Sequence, residues 1–174
     1  MNLPEQLAAR IQGNVVIMGI GNPCRGDDAA GSVVARRISD APGVRVIDAQ
    51  DVPEDYLCLV VKQRPDTVVL IDSVDLDSAP GSIALLNKDQ IAGYWPSTHR
   101  VPIRLLMDYL AWETNAHTFL IAIQPRHTVF LEPMSEEVYA SVARLAEVLD
   151  SVLKMLRMTA NVAFTDRLRG KVLA

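Results

Sequence analysis

The stretch Val15–Gly31, VVIMGIGNPCRGDDAAG, combines an apolar run, a glycine-rich loop and the start of a helix. The run Val15–Met18 is apolar without alternation, which is typical of a strand covered on both faces, as in a parallel sheet. Gly19 and Gly21 allow sharp turns, and a helix starting near Asp27 would direct free N–H groups at an anion. Two adjacent aspartates at that helix start oppose a phosphate, so the loop needs another explanation.

The rest of the chain repeats the alternation of strand and helix. Apolar runs predict four more strands, at Val44–Ile47, Thr67–Ile71, Gly81–Leu86 and Phe119–Ile123. Helical patterns cover about 28–39, 53–62, 102–112 and 138–156, the last with Ser135 as its cap. This alternation predicts an α/β three-layer sandwich, in which a mostly parallel, twisted sheet of about five strands lies between helices.

Length and composition indicate one soluble domain. The chain has 174 residues, 49% of them hydrophobic, which suits a single domain over 1–174 with a core at about 14–158 and a tail or short added helix at 160–174. A net charge of −4 argues against nucleic acid and anionic membranes as partners. Two cysteines, no signal-peptide pattern and no apolar run of about 20 residues favour a cytoplasmic location.

Acids and a histidine follow the predicted strands. In open α/β sheets, ligands bind in the crevice beyond the carboxyl ends of the strands. Asp28, Asp48 and Asp72 follow three of the runs, and the loop between Gly93 and Pro102 carries His99. Two carboxylates and one imidazole suit a divalent metal such as zinc, nickel, cobalt or iron, with open positions for water or substrate. We therefore predict a metal site at this edge, formed by two of these aspartates and His99.

Each candidate also has an ordinary structural explanation. Asp27 is explained better as a helix cap, since a helix start needs one. Asp72 could be a solvated turn residue, and His99 a hydrogen-bonded surface histidine. His117 and His127 flank the last strand without an acidic partner nearby, and both are interpreted as structural.

Other enzyme and binding classes fit less well. Cys24 could act as a nucleophile with His99 as its base, but nothing in the local sequence supports such a dyad. The chain has neither the G-x-S-x-G elbow of serine hydrolases nor the H-E-x-x-H helix of zincins. A Rossmann-like nucleotide-binding protein is a distant alternative, because the third glycine of G-x-G-x-x-G would fall on Cys24 and Gly26 comes too late.

The motifs together resemble one family. GIGNPCRGDDAAG resembles the G-[IV]-G-N-x-x-x-x-D-[DE]-x-x-G opening of the nickel-iron hydrogenase maturation endopeptidases, and VVLIDS, APGS, STH and IAIQP follow in that family's order. STHRVPIRLLMDYL and IQPRHTVFLEPMSEEV are especially similar to the branch that processes the hydrogenase 3 large subunit. The resemblance covers roughly residues 14–155.

The resemblance implies a twisted sheet between helices and a specific activity. Family members remove a C-terminal extension from the hydrogenase large-subunit precursor once nickel has been inserted, and the metal is the recognition signal. The resemblance places the family's metal-binding positions on Asp28, Asp72 and His99, all of them among the residues that the predicted sheet brings to one edge, and so specifies the predicted metal site. The expected metal is nickel supplied by the precursor, for which other divalent metals can substitute.

Several roles stay open on the sequence alone. The catalytic residue is unassigned, with Asp28 and Asp72 as candidates, because the metal or an aspartate could activate water. The loop residues expected to approach the substrate backbone are Gly19, Gly21, Asn22 and Gly26. Relatives carry Gly where this chain has Ala29, a departure that removes no ligand. The alternative from another class is a non-catalytic metal-binding or chaperone-like module for the same precursor.

Overall fold

The computed structural model describes residues 1–91 and 101–172. Within these ranges five strands form one sheet: β1 (Val15–Ile20), β2 (Val44–Gln50), β3 (Thr67–Ser73), β4 (Ile83–Leu86) and β5 (His117–Ile123). The α-helices described are α1 (Leu3–Arg10), α2 (Ala30–Arg37), α3 (Leu57–Lys62), α4 (Ile103–Thr114) and α5 (Glu136–Val172). Short 3-10 turns cover Gly26–Ala29, Pro53–Tyr56 and Lys88–Gln90.

The sheet order places β1 and β3 at its centre. The strands lie in the order β2-β1-β3-β5-β4, and all neighbours are parallel except β4, which pairs antiparallel with β5. The four parallel strands therefore all begin at one edge of the sheet, here called the amino edge, and end at the other, the carboxyl edge. Every predicted strand is present, and the prediction of a mostly parallel five-stranded sheet is confirmed.

Helices cover both faces of this sheet. One core contains side chains of α1, α2 and α5, including Leu7, Val34 and Leu145, against one face. A second core contains side chains of α3 and α4, including Val60 and Leu106, against the other. All six residues of β1 are buried, so its continuous apolar run follows from burial on both sides. The predicted three-layer sandwich is thus confirmed.

Helix boundaries differ from the predictions mainly at the ends of the chain. The first two predicted helices each begin as a 3-10 turn that leads into α2 or α3. Helix α1 was not predicted, although Asn2 and Glu5 form a capping box at its start, a signal present in the sequence. Helix α5 continues to Val172, so residues 160–172 extend the last helix rather than form a tail or separate helix.

The great length of α5 does not make it a membrane helix. It has 37 residues. Across residues 1–91 and 101–172, no helix is both long and apolar enough to cross a bilayer.

The outer side of β2 is occupied by a side chain from the turn before it. The Asp40 carboxylate accepts a hydrogen bond from the Val46 backbone N–H at 2.7 Å. The same carboxylate pairs with the Arg45 guanidinium at 2.5 Å. This edge strand therefore does not present that N–H to solvent.

Candidate functional site

Two buried carboxylates meet at the carboxyl edge, beyond β1 and β3. Asp28 is 1% exposed and Asp72 is 4% exposed. The Ser73 hydroxyl lies 3.5 Å from Asp28 Oδ1 and donates to it, while the Ser73 backbone N–H donates to Asp72 Oδ1 at 2.8 Å. Ser73 thus connects both acids, although they are far apart in sequence. The structure brings together two of the three predicted metal ligands.

The loop that carries Asp28 is organised by Asn22. The Asn22 backbone N–H donates to Asp28 Oδ2 at 3.0 Å, and the Asn22 side chain accepts from the Cys24 N–H and donates to Asp51. A phosphate in this loop would need free backbone N–H groups. Because the Asp28 carboxylate already accepts from the Asn22 N–H, the loop disfavours an anion, which argues against the nucleotide-binding alternative.

Asp27 has a different role from the one the sequence suggested. It is fully buried and makes no capping hydrogen bond to its own helix, so the interpretation as a helix cap is wrong. Its carboxylate instead accepts from the backbone N–H groups of Arg126 (2.8 Å), His127 (3.2 Å) and Ser135 (2.7 Å), and from the Ser135 hydroxyl. Asp27 therefore fastens the segment between β5 and α5 to the loop that carries Asp28.

The electrostatics of Asp27 follow from these contacts. Burial alone raises the pKa of a carboxyl group, because it disfavours the charged form. At Asp27 the hydrogen bonds from Ser135, Arg126 and His127 outweigh burial and hold the pKa below its usual range. The group is therefore a charged structural clamp at neutral pH.

The predicted substrate-loop glycines are in close contact with the protein itself. A Cβ on Gly19 would lie 2.1 Å from the Gly31 carbonyl oxygen, so Gly19 allows α2 to pack against β1. Gly21 has a φ of 138° and would bring a Cβ within 1.8 Å of the Asp28 carbonyl oxygen. A Cβ on Gly26 would lie 2.9 Å from the His127 ring. Approach of these residues and Asn22 to a substrate backbone stays a prediction.

Two other polar strand ends are engaged in structural contacts. Asp48 accepts from the Ser32 hydroxyl at 2.7 Å and pairs with Arg36 at 2.6 Å, which directs it towards α2. The Gln124 side chain, 7% exposed, accepts from the Leu76 and Ser78 N–H groups and donates to Asp75. Gln124 thus shapes the loop after β3, a role that the sequence did not reveal.

The histidines divide between the two edges of the sheet. His99, the third predicted ligand, lies outside the described residues, as does any contact between it and Cys24, an exposed free thiol. His117 lies at the amino edge, where its ring contacts the Arg10 carbonyl oxygen at 3.2 Å. His127 lies beside the Asp28 loop, and its backbone N–H and C=O both bond to Asp27.

The described residues bring together only part of a metal-binding site. No group of three His, Cys, Asp or Glu side chains in 1–91 and 101–172 is arranged to hold a metal ion. Asp28 and Asp72 supply two carboxylates, the ligand type that suits hard or borderline divalent cations. A metal held by these two acids would need further ligands from outside the described residues, such as the predicted His99, or from a bound molecule.

Comparison with known proteins identifies the family. Residues 30–152 match the family model HycI, described as hydrogenase maturation protease. The Escherichia coli K12 hydrogenase 3 maturation protease is 32% identical over 130 residues, which cover 73% of this chain and 83% of that one. The chain belongs to the hydrogenase maturation protease family. The predicted class of enzyme, a hydrolase that cleaves peptide bonds, is confirmed with it.

Further relatives extend the similarity over more of the chain. A Methanocaldococcus jannaschii protein, provisionally named a hydrogenase maturation protease, is 30% identical over 154 residues, 83% of this chain and 90% of that one. The crystal structure of the NiFe hydrogenase maturation protease HycI from Thermococcus kodakarensis KOD1 is 32% identical, with a TM-score of 0.80 over 86% of this chain and 99% of that chain. The family-model match includes Asp72 and begins just after Asp28.

Proposed function

We propose that this maturation protease removes the C-terminal extension of a nickel-iron hydrogenase large-subunit precursor after nickel has been inserted. The observation that carries the proposal is the pair Asp28 and Asp72, buried and linked through Ser73 at the carboxyl edge. Keeping two carboxylates together out of water is costly unless hydrogen bonds or a cation compensate it. Asp28 accepts hydrogen bonds from Asn22 and Ser73, and Asp72 accepts one from Ser73; a divalent ion carried in by the substrate would add its positive charge to this compensation.

In this proposal Asp28, Asp72 and His99 complete the coordination of the nickel ion in the precursor. With the ion bound, Asp28, Asp72 and His99 would hold the C-terminal segment of the precursor over the loop of Gly19, Gly21, Asn22 and Gly26. Water then adds to the scissile carbonyl, and the leaving amine takes a proton. One of the two aspartates could act as the base for this water, and a bound divalent ion would supply Lewis-acid polarisation of the carbonyl and activation of the water. Other divalent metals of similar size should substitute for nickel.

Mass spectrometry of a cognate large-subunit precursor tests this proposal. Nickel-loaded and nickel-free precursor are incubated with the wild-type protein and with His99→Ala. Loss of a C-terminal fragment is expected only from the nickel-loaded form and only with the wild-type protein. Circular dichroism confirms that the variant is folded. Cleavage of both forms would contradict the nickel requirement, and full activity of His99→Ala would contradict its role as a ligand.

The same samples distinguish the alternative function. A non-catalytic metal-binding or chaperone-like module would bind the precursor without any change in precursor mass. An intact nickel-loaded precursor, with a folded protein and a verified partner, would favour that alternative. The proposal places the reaction in the cytoplasm and involves neither nucleic acid nor a membrane.

A further inference from the structure

Three consecutive apolar side chains are exposed between β5 and α5. Val129 is 53% exposed, Phe130 59% and Leu131 76%. Single exposed apolar residues are common on protein surfaces and need no explanation. A run of three is unfavourable in water unless it serves a function. These three residues are here called the apolar turn.

The backbone of the apolar turn is strained at Leu131, the most exposed of its three residues. The Glu132 N–H donates to the Val129 carbonyl oxygen at 3.4 Å, which closes a four-residue turn around Phe130 and Leu131. Leu131 has a φ of 63°, at a turn position where glycine or asparagine is the usual residue. A bulky residue in this conformation costs stability. Folding alone therefore favours glycine at position 131, and leucine has to be explained by something else.

The apolar turn is fastened to the loop that carries Asp28. The Leu131 N–H donates to the Cys24 carbonyl oxygen at 2.7 Å. Two residues before the turn, the His127 backbone bonds to Asp27 through both its N–H and its C=O. The exposed side chains are therefore held at a fixed position beside the candidate site, on the surface that a protein substrate has to approach.

We infer that the apolar turn is a docking site for the hydrogenase large-subunit precursor and contacts an apolar patch on its surface. The choice of this occupant rests on the proposed function. A second copy of the chain is a poorer fit, because three side chains alone supply much less than the roughly 800 Å² that a stable interface buries on each partner, whereas the precursor in this proposal is also held at the neighbouring candidate site. The turn has no metal ligand, so it binds the precursor whether or not nickel is present. Docking and metal recognition are thus separate steps.

Two substitutions remove the apolar contacts without harming the fold. Leu131→Gly deletes the side chain and relieves the strained backbone, so thermal stability should stay the same or rise. Phe130→Ser removes the aromatic side chain from an exposed position. Two matched controls lie at the amino edge: Trp112→Ser, at an 86% exposed apolar residue of α4, and Arg64→Gly, at another exposed position with positive φ.

The probe is nickel-free large-subunit precursor immobilised on a biosensor, and the measured quantity is the dissociation constant of each protein. We expect Leu131→Gly and Phe130→Ser each to weaken binding about tenfold or more, while both controls bind like the wild type. Equal binding by all proteins would overturn the inference. So would failure of the wild type to bind, or sedimentation data showing that the two variants abolish only self-association.

Cleavage of nickel-loaded precursor, followed by mass spectrometry, is a separate readout. A wild-type protein that binds through the apolar turn but leaves the precursor intact would support docking and contradict the proposed function. If the wild-type protein cleaves the precursor but the Leu131 and Phe130 substitutions leave binding unchanged, the result would support the proposed function and contradict docking by the apolar turn.

Discussion

The two edges of the sheet both carry acids, but in opposite surroundings. At the amino edge, Asp66 is exposed and accepts one hydrogen bond from the Asn14 N–H at 2.7 Å. At the carboxyl edge, Asp27, Asp28 and Asp72 are all at most 4% exposed. An exposed carboxylate is solvated by water, whereas a buried one must be compensated by the protein or by a bound cation.

The three buried acids also differ from one another in their hydrogen-bond partners. Asp27 is compensated by donors from a single segment, residues 126–135, and the result is a structural clamp. Asp28 and Asp72 come from different parts of the chain and are connected through Ser73. The contacts of Asp27 with residues 126–135 therefore identify a structural role for this acid, whereas the roles of Asp28 and Asp72 are those proposed above.

The largest expected effect is the loss of activity from Asp72→Asn. The amide keeps the size of the side chain but removes the charge that a cation needs, so kcat/KM for nickel-loaded precursor should fall by about a hundredfold or more. Asp66→Asn is the matched control at the amino edge and should leave kcat/KM unchanged. Equal activity of both variants in the cleavage assay would show that the charge of the buried Asp72 carboxylate is not needed for activity.

The next largest effect is on stability and concerns Asp27→Ala. This change leaves the N–H groups of Arg126, His127 and Ser135 without their acceptor, so the free energy of unfolding should fall by about 3 kcal/mol. Asp66→Ala removes one exposed hydrogen bond and should cost about 1 kcal/mol. Urea denaturation measures both values, and a smaller loss for Asp27→Ala than for Asp66→Ala would contradict the clamp.

The smallest effect is a difference in pH dependence. Because the pKa of Asp27 is lowered in the folded state, its charge stabilises the protein above the unfolded pKa, and this stabilisation is lost as the pH falls through the folded pKa. Asp27→Asn should therefore lose less stability than the wild type between pH 7 and strongly acidic pH. Thermal unfolding at several pH values measures the difference. Parallel curves for the two proteins would show that Asp27 does not contribute.

The strands and helices could be predicted from local patterns, because a strand that is buried on both faces is a continuous run of apolar residues in the sequence. The apolar runs of β1 and β3 and the stripe of α5 needed no knowledge of the rest of the chain. The parallel arrangement that these patterns predict places Asp28 and Asp72 at one edge of the sheet. The missed helix α1 had a local signal as well, in its Asn2 and Glu5 capping box.

Long-range hydrogen bonds were beyond the sequence. The bond from Ser135 to Asp27 joins residues 108 positions apart, and neither residue type predicts the other. The sequence motif already selects Asp28 over its neighbour Asp27 as the candidate ligand, but only the long-range contacts of Asp27 show that it is a clamp and not a helix cap. The strained conformation of Leu131 was equally hidden, because the positive φ occurs at a leucine instead of a glycine.

The contact between Asp40 and Val46 has a consequence for behaviour at high concentration. An open strand edge is a template on which another extended chain can add by backbone hydrogen bonding, the first step of many aggregates. Here the Asp40 carboxylate accepts the hydrogen bond of the Val46 N–H. The nearby Arg45 adds a second charge that an incoming strand would have to displace. Because Asp40 and Arg45 occupy this edge, β2 is a poor template for sheet extension by another extended chain.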